Sequence, residues 1–464
     1  MPETIQAYLE AVQEQIRWKR ARPVLVRELE RHLEDQRDDF LNEGKSPEEA
    51  ERLAIRDMGD PVTVGTELDA VHRPKPQWGL LGLTIVLALT GAVLRGMFLD
   101  AGIRPTAAAH SNALVKALAS FGLGTAALLG MYFLDVSRLV RHAKALYIGA
   151  VVFGAGMFGY SVSRNVYRPL SAYSLLYYFS QLLPVVYALW LYAWRNQRWK
   201  GFFLVVSGGI PLAVISATYP SMTNLFLLLL SGFVLTLLAS WLDWFGVGRR
   251  QGLCVVFGIT FAILAYLFFR GYFDSLLARL QIALHPELDP YGRGYTSWLL
   301  HMHLTDVPLL RLPNSFRSTS IAVGARLYGD KYSTPIDISK DFLPISIAVE
   351  WGWLPLFLLL AALTALLVWL LWKGLRQKYL LGRFVILAVA ISLAVQTLFS
   401  VMINFGLVLF SASLPLVVGN SQTVIDMALI GLALSVFRGE SIGREEPAEP
   451  LRQRKRLRIR VEYQ

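Results

Sequence analysis

One cysteine stands in 464 residues, and a single thiol closes no internal disulfide. Cys254 lies in an apolar run, where a small soft side chain serves as packing. Charge is sparse as well: Lys, Arg, Asp and Glu make up 17% of the chain against 54% hydrophobic residues, with a mean hydropathy of +0.44. That balance excludes an ordinary soluble domain. GxSxG, the phosphate-cradling GxxxxGK[ST], HExxH and CxxC are all missing. The common hydrolase, nucleotide, zinc and dithiol chemistries therefore have no motif to rest on. The first ~75 residues are charged and lack an apolar central region, so no removable signal peptide is expected.

Long apolar runs are abundant. LGLTIVLALTGAVL, LFLLLLSGFVLTLLASW and LPLFLLLAALTALLVWLLW are each long enough to cross ~30 Å of hydrocarbon. The pattern predicts ten spans, at roughly 78–98, 114–134, 142–162, 172–194, 200–218, 222–242, 252–269, 342–371, 381–408 and 421–437. Basic residues test that count. Arg138/Arg141/Lys144, Arg195/Arg198/Lys200, Arg249/Arg250 and Lys373/Arg376/Lys378/Arg383 fall in alternate loops, whereas 219–221 and 409–420 carry no Lys or Arg. Under the positive-inside rule both termini are cytoplasmic. The expected architecture is an all-α polytopic membrane protein with about ten transmembrane helices and a small N-terminal cytoplasmic helical domain.

That domain is expected at 1–72, a linker at 73–77, the membrane part at 78–437 and a basic cytoplasmic tail at 438–464. In SPEEAERLAIRDMG, Ser46 is an N-cap, Pro47 the first helical residue, Glu49 the partner of a capping box and Gly59 the stop. Asp60 and Pro61 start the next helix, with Val64, Leu68 and Val71 on one face. Upstream, Ile5, Leu9, Val12 and Ile16 mark one amphipathic helix; Val26, Leu29 and Leu33 mark a second. Residues 1–77 hold 12 Lys and Arg against 17 Asp and Glu, a local −5, and the remainder carries +16. The tail RQRKRLRIR has six basic residues and no acid, a composition suited to anionic lipid headgroups rather than to nucleic acid.

One loop breaks the pattern. Residues 270–341 form an external excursion of ~70 residues, and structureless loops of that length are uncommon unless functional. Its amphipathic opening, FDSLLARLQIAL, suits the membrane interface; turn-forming HPELDPYGRGY follows. The excursion ends at KDFLPISIAVEWGW, with Asp341 at the mouth of an apolar segment and Glu350 inside it. A helix N-terminus stabilises a carboxylate such as Asp341, although Asp341 reads equally as a simple N-cap. An acid inside an apolar span implies a polar neighbour or a cavity, which applies to Glu350 and also to Asp426, left without a role. His301 and His303 in HMH, with Asp306 nearby, are too sparse a set to count as a metal site.

The excursion resembles the loop of the SEDS family (the FtsW, RodA and SpoVE group). Arg279, Pro286, Asp289, Pro290, Gly292, Gly294 and Tyr295 fall at that family's spacing. Asp341, Phe342, Glu350 and Gly352 match its Thr-Asp-Phe-Ile-Phe…Glu-x-Gly-Phe block. SLPLVVGNS resembles a shortened Leu-Pro-Phe-x-Ser-Tyr-Gly-Gly-Ser signature through Leu414, Pro415, Gly419 and Ser421, and YPSMTN keeps Pro220 of another block. The family's Gln-Pro-Ser-Glu-x-x-Lys block is replaced by RPLSAYSLLYYF, which has neither Glu nor Lys. Residues 1–72 resemble, separately, the HAAS-like permease prefix domain.

The SEDS resemblance implies a peptidoglycan glycosyltransferase that polymerises lipid II into glycan strands at the outer face of the bacterial cytoplasmic membrane, in division or shape. It makes Asp341 the general base. Arg279, Arg293, Arg326, Lys331 and Lys340 become candidates for holding the diphosphate, with Asp289 and Tyr295 near the sugar. Glu350, Gly352 and Pro415 shape the cavity. No cofactor is certain, and there is room for a divalent cation, Mg or Mn. The implied partners are undecaprenyl-diphosphate-linked lipid II, membrane lipids, a class B penicillin-binding protein and a cytoplasmic partner of the N-terminal domain. The alternatives are a non-catalytic relative that binds lipid II as a regulatory scaffold, and a lipid-linked sugar flippase. Paired broken spans of the transporter kind are not evident in the sequence, and an ABC-type permease subunit fits neither ten spans nor the Asp341 block.

Overall fold

The computed structural model describes residues 4–19, 21–73, 76–98, 107–134, 136–163, 172–218, 222–305, 307–311, 342–377, 379–407, 410 and 412–439. It divides into two compact units, one of residues 1–76 with 437–464 and one of residues 77–436. Among the described residues every regular element is a helix.

The first unit contains α1 (Ile5–Gln15), α2 (Arg22–Asn42), α3 (Pro47–Met58) and α4 (Pro61–His72). Ser46 Oγ accepts from Glu49 N–H, and Asp60 Oδ2 accepts from Thr63 N–H at 2.9 Å, so both start signals operate as side-chain caps. Tyr8, Leu9, Val12, Ile16, Leu25, Leu29, Leu33, Ala54 and Ile55 form one core. The packed face of α4 overlaps the expected one only in part: Leu68 packs on this core, but Pro61, Gly65 and Asp69 are the buried residues and Val71 is 66% exposed. The reason is polar. Asp69 Oδ1 accepts from Arg17 N–H at 2.9 Å just past the end of α1, and that bond turns the 61/65/69 face toward α1.

The second unit holds α5 (Trp78–Phe98), α6 (Ala107–Phe133), short α7 (Val136–Arg141), α8 (Ala143–Ser163), α9 (Ala172–Ser180), α10 (Leu183–Ala193), α11 (Arg198–Thr218), α12 (Met222–Trp241) and α13 (Arg249–Phe269). The excursion supplies α14 (Tyr272–Leu284) and α15 (Tyr295–Leu304). The chain then runs through α16 (Leu343–Trp351), α17 (Trp353–Leu375), α18 (Leu380–Asn404) and α19 (Ser421–Gly439). Ten stretches are long and apolar enough to cross a membrane. The chain is a multi-pass membrane protein.

Two expected spans are broken. The fourth divides into α9 and α10 at Gln181–Leu182, because Pro184 in the first turn of α10 cannot continue a helix from above. The eighth divides at Gly352 into α16 and α17, and only α17 is a candidate span. Glu350 therefore sits in the last turn of a short helix ahead of the span.

Burial sorts the spans. The apolar windows of α18 and α19 are 78% and 72% buried, that of α13 only 11%, so α18 and α19 are central and α13 peripheral. Apolar contact has no driving force in hydrocarbon, and packing relies on shape and hydrogen bonds. Tyr147 of α8 stacks on Trp190 of α10 with ring centroids 3.9 Å apart, and its hydroxyl donates to Gly208 O of α11 at 2.7 Å. At the end opposite the excursion, Lys144, Arg195, Arg249 and Arg376 lie over Trp194, Tyr192, Trp241 and Trp372. Cation–π pairs of this kind suit the headgroup level, where one end of each residue is wet.

Asp69→Ala strands the Arg17 amide, and the first unit is expected to lose about 1–3 kcal/mol. Hydrogen exchange across residues 4–73 measures it; unchanged protection there contradicts this account of the α1–α4 contact.

Candidate functional site

The end of the bundle that carries the excursion is built from non-helical backbone held by side chains. The turn Asp289–Gly294 wraps around the Asp289 carboxylate. Its Oδ2 accepts from Arg293 N–H at 2.9 Å, and Asp289 O accepts from Gly294 N–H at 3.0 Å. The half-buried Asp289 is thus engaged with its own turn, which launches α15 at Tyr295. Nearby, the Glu287 carboxyl is held below the usual carboxylate range, first by its own backbone N–H and then by His285 at 3.1 Å. Arg279 on α14 and Arg293 in the turn are both exposed.

Helix α15 leads to Pro308–Arg311, which runs against the α16–α17 break like a strand. Trp353 N–H donates to Pro308 O at 3.1 Å, Leu354 N–H to Leu309 O at 2.8 Å, and Arg311 N–H to Trp351 O at 2.9 Å. The Arg311 guanidinium closes α16 by donating to Val349 O at 2.8 Å. Gly352 makes this approach feasible: its φ is +96°, and a Cβ there would lie 2.7 Å from the carbonyl oxygens of both Pro308 and Leu309. Glu350 is half-buried beside this junction.

The other end of α16 is pinned to α18. Ile345 N–H, free because it lies in a first helical turn, donates to Asn404 Oδ1 at 3.1 Å, and Asn404 Nδ2 donates to Ser400 O at 2.7 Å. Leu300, Phe342, Ile345 and Ile403 pack around that bond. The helix is held at both ends, by Asn404 and by Arg311. The residue before Phe342 is Asp341, which with Arg326, Lys331 and Lys340 lies outside the described residues, as do Asp306 and the side chain of His303. His301 lies against Gly406. Among the described residues no three His, Cys, Asp or Glu side chains converge to hold a divalent cation.

Residues 412–420, between α18 and α19, re-enter the bundle. Leu414, Pro415, Leu416, Val417, Val418 and Gly419 are buried. Leu416 has φ +66°, and Val417 N–H bonds Pro415 O across it at 2.8 Å, a γ-turn of the strained hand. Irregular backbone at membrane depth survives only when protein satisfies its polar groups. Here Leu416 N–H donates to Asp426 Oδ2 at 3.0 Å, Gly419 N–H to Thr423 Oγ1 at 3.1 Å, and Arg95 to Val418 O at 3.2 Å. A Cβ on Gly91 of α5 would overlap Val417 O, so α5 presses directly on the segment. Pro415 is thus a buried part of this turn. Asp426, without a role in the sequence, is its anchor.

A separate apolar cavity of about 320 Å3 lies between α10, α11, α12 and α13, lined by Tyr187, Ile210, Leu229, Gly232, Phe233 and Ile263 among others. Of its polar groups, Tyr187 OH and Thr236 Oγ1 bond each other at 2.7 Å and Thr260 Oγ1 donates to Val256 O at 2.9 Å.

Sequence reasoning missed Asn404, Arg311, Arg95 and the anchor role of Asp426. One signal was present: Ser392, Gln396, Ser400 and Asn404 recur every four residues, a polar stripe on one face of an otherwise apolar helix.

Asn404→Leu leaves a buried amide unpaired and is expected to cost about 1–3 kcal/mol. Gly352→Ala forces an L-residue into positive φ against two carbonyls, a strain of about 1–3 kcal/mol before the clash is counted. Melting temperatures of the detergent-solubilised protein check both; wild-type values would show that α16 is not held this way.

No protein-family model and no curated protein matches the chain. Among solved structures, it is similar to a chain of a peptidoglycan synthase complex that coordinates polymerization and crosslinking. The two are 19% identical, the match covers 79% of this chain and 98% of that one, and the TM-score is 0.55. The rod shape determining protein RodA of Thermus thermophilus is also similar, as a mutant and as the unmutated protein. Each is 17% identical over 79% of this chain, covering 98% and 97% of RodA, with TM-scores of 0.49. The chain has the fold of that peptidoglycan synthase chain.

Proposed function

We propose that the chain is a divergent SEDS-type peptidoglycan glycosyltransferase that polymerises lipid II at the outer face of the cytoplasmic membrane. The observation that carries this reading is the shared fold, joined to the Asp341–Gly352 block at its excursion end. In this reading Asp341 takes the proton from the acceptor sugar hydroxyl as that oxygen attacks the donor's anomeric carbon. Arg279, Arg293, Arg326, Lys331 and Lys340 hold the departing diphosphate. Lys340, next in sequence, keeps Asp341 ionised and so suited to a base. The doubly pinned α16 supports this assignment, because a base must be held still relative to its substrate. Glu350 and Gly352 shape the junction beneath it. The apolar cavity between α10 and α13 suits a hydrocarbon chain. The cation–π belt at the opposite end supports cytoplasmic termini.

The partner implied is a class B penicillin-binding protein, a transpeptidase; the relative with the shared fold comes from a complex of polymerization with crosslinking. The missing Glu and Lys of RPLSAYSLLYYF favour a second reading, a lipid II-binding scaffold without catalysis.

Lipid II polymerisation in liposomes, with and without candidate transpeptidases, tests both. Wild type is expected to yield glycan strands, and Asp341→Asn to lose at least ~100-fold, the usual worth of a general base, while retaining its melting temperature. Lipid II binding with no strands from wild type under any pairing would leave the scaffold reading standing.

A further inference from the structure

The buried ends of Gln181, Gln396, Gln422 and Asp426 meet where the α9–α10 break, α18 and α19 come together. Gln422 Nε2 lies 2.5 Å from Gln181 Oε1, 3.1 Å from Gln396 Oε1 and 3.0 Å from Asp426 Oδ1. Three oxygens thus converge on a nitrogen that owns two hydrogens. Gln396 Nε2, with two hydrogens of its own, is meanwhile buried with no partner. A buried N–H without a partner is uncommon in proteins and calls for an explanation.

Amide oxygen and nitrogen exchange places on a half-turn of the amide, and the hydrogen-bond network decides between them. With all three glutamine amides turned, Gln396 Nε2 and Gln181 Nε2 both donate to Gln422 Oε1, and Gln422 Nε2 donates to Gln181 Oε1. The orphan donor disappears. A carbonyl oxygen, with its broad acceptor geometry, serves several donors more readily than two hydrogens serve three acceptors. One contact is then left between two oxygens, Gln422 Oε1 and Asp426 Oδ1. A proton on Asp426 Oδ1 makes it a hydrogen bond.

Charge leads to the same place. Asp426 is fully buried, and among the described residues no cation lies within ion-pair distance of it. An unpaired carboxylate at such a position costs several kcal/mol. The groups bonded to it are amides: Gln422 from its own helix and Leu416 N–H from the re-entrant segment, with Gln181 of the α9–α10 break and Gln396 of α18 reaching Gln422 in turn. Gly124 of α6 lies against the neighbouring Met427. The charged group that touches this region is Arg95 of α5, and it is bonded to Val418 O.

We propose that Asp426 is a proton-binding site: a neutral carboxylic acid that donates from Oδ1 to Gln422 Oε1 and accepts on Oδ2 from Leu416 N–H. The proton fixes the orientation of three glutamine amides and, through Leu416, ties the re-entrant segment to α19.

Infrared spectroscopy of the full-length protein at neutral pH tests this. The expected result is a carboxylic-acid carbonyl band in wild type that is lost in Asp426→Asn, which keeps both hydrogen bonds and melts like wild type. Absence of any acid band that Asp426→Asn removes overturns the proposal. Wild type grown with carboxyl-13C aspartate gives an independent answer if Asp426→Asn does not fold. The acid band is expected to move to lower frequency with the label. A band that the label leaves in place belongs to no aspartic acid, and the proposal fails.

Discussion

Hydrocarbon offers no hydrogen bonds, so backbone that leaves a helix within the bundle must be completed by protein. The excursion end of this chain depends on that constraint. Three pieces of backbone there are not helical in their bonding: the Pro308–Arg311 run, the first turn of α16 and the re-entrant segment 412–420. Each is closed by identifiable groups, namely the α16–α17 break, Asn404, and Asp426 with Thr423 and Arg95. Removing Asn404 or the Asp426 carboxyl leaves a buried polar group with no water to turn to, a penalty larger than the net value of the bond itself; the exposed Pro308–Arg311 run carries no such penalty.

Two of these closures draw on one helix, α18. Asn404 at the end of α18 holds α16, and Gln396 two turns deeper belongs to the cluster around Asp426. The two positions are eight residues apart, about 12 Å along the axis. The helix carrying them is among the most buried spans, at 78%, and burial on all sides is what makes a polar stripe tolerable there. A peripheral helix such as α13, whose window is 11% buried, would expose the same stripe to lipid.

Apolar run length made the ten spans legible, because crossing hydrocarbon sets a minimum that few other structures share. The caps of the first unit were equally legible: Ser46 and Asp60 act through bonds to residues three positions on. What could not be read were contacts across large sequence separations. Ile345 meets Asn404 and Arg95 meets Val418 only once the bundle is assembled. The break at Gly352 was missed for a related reason. LPISIAVEWGWLPLFLL is apolar except for Ser346 and Glu350, and nothing local reveals that Pro308 and Leu309 come to lie against the glycine. The expected face of α4 held at Leu68 but not at Val71, because apolar periodicity ignored a buried acid, Asp69, whose bond to Arg17 N–H holds the neighbouring face against α1.

Glu350 and Asp426 show how little an acid's sequence context says about its work. Both stand in apolar stretches. Glu350 precedes its span, half-buried in the last turn of the short helix that ends at Gly352. Asp426 lies in the span, is bonded by the Gln422 amide and the Leu416 N–H, and carries the strained turn at Leu416. A γ-turn with a non-glycine residue at positive φ persists only where its surroundings over-determine it, and here the determinant is a carboxyl held in one rotamer by Gln422. The turn at Leu416 is thus set by side chains of α19, and the first turn of α16 by Asn404 of α18, two polar contacts that each join one element to another across the bundle.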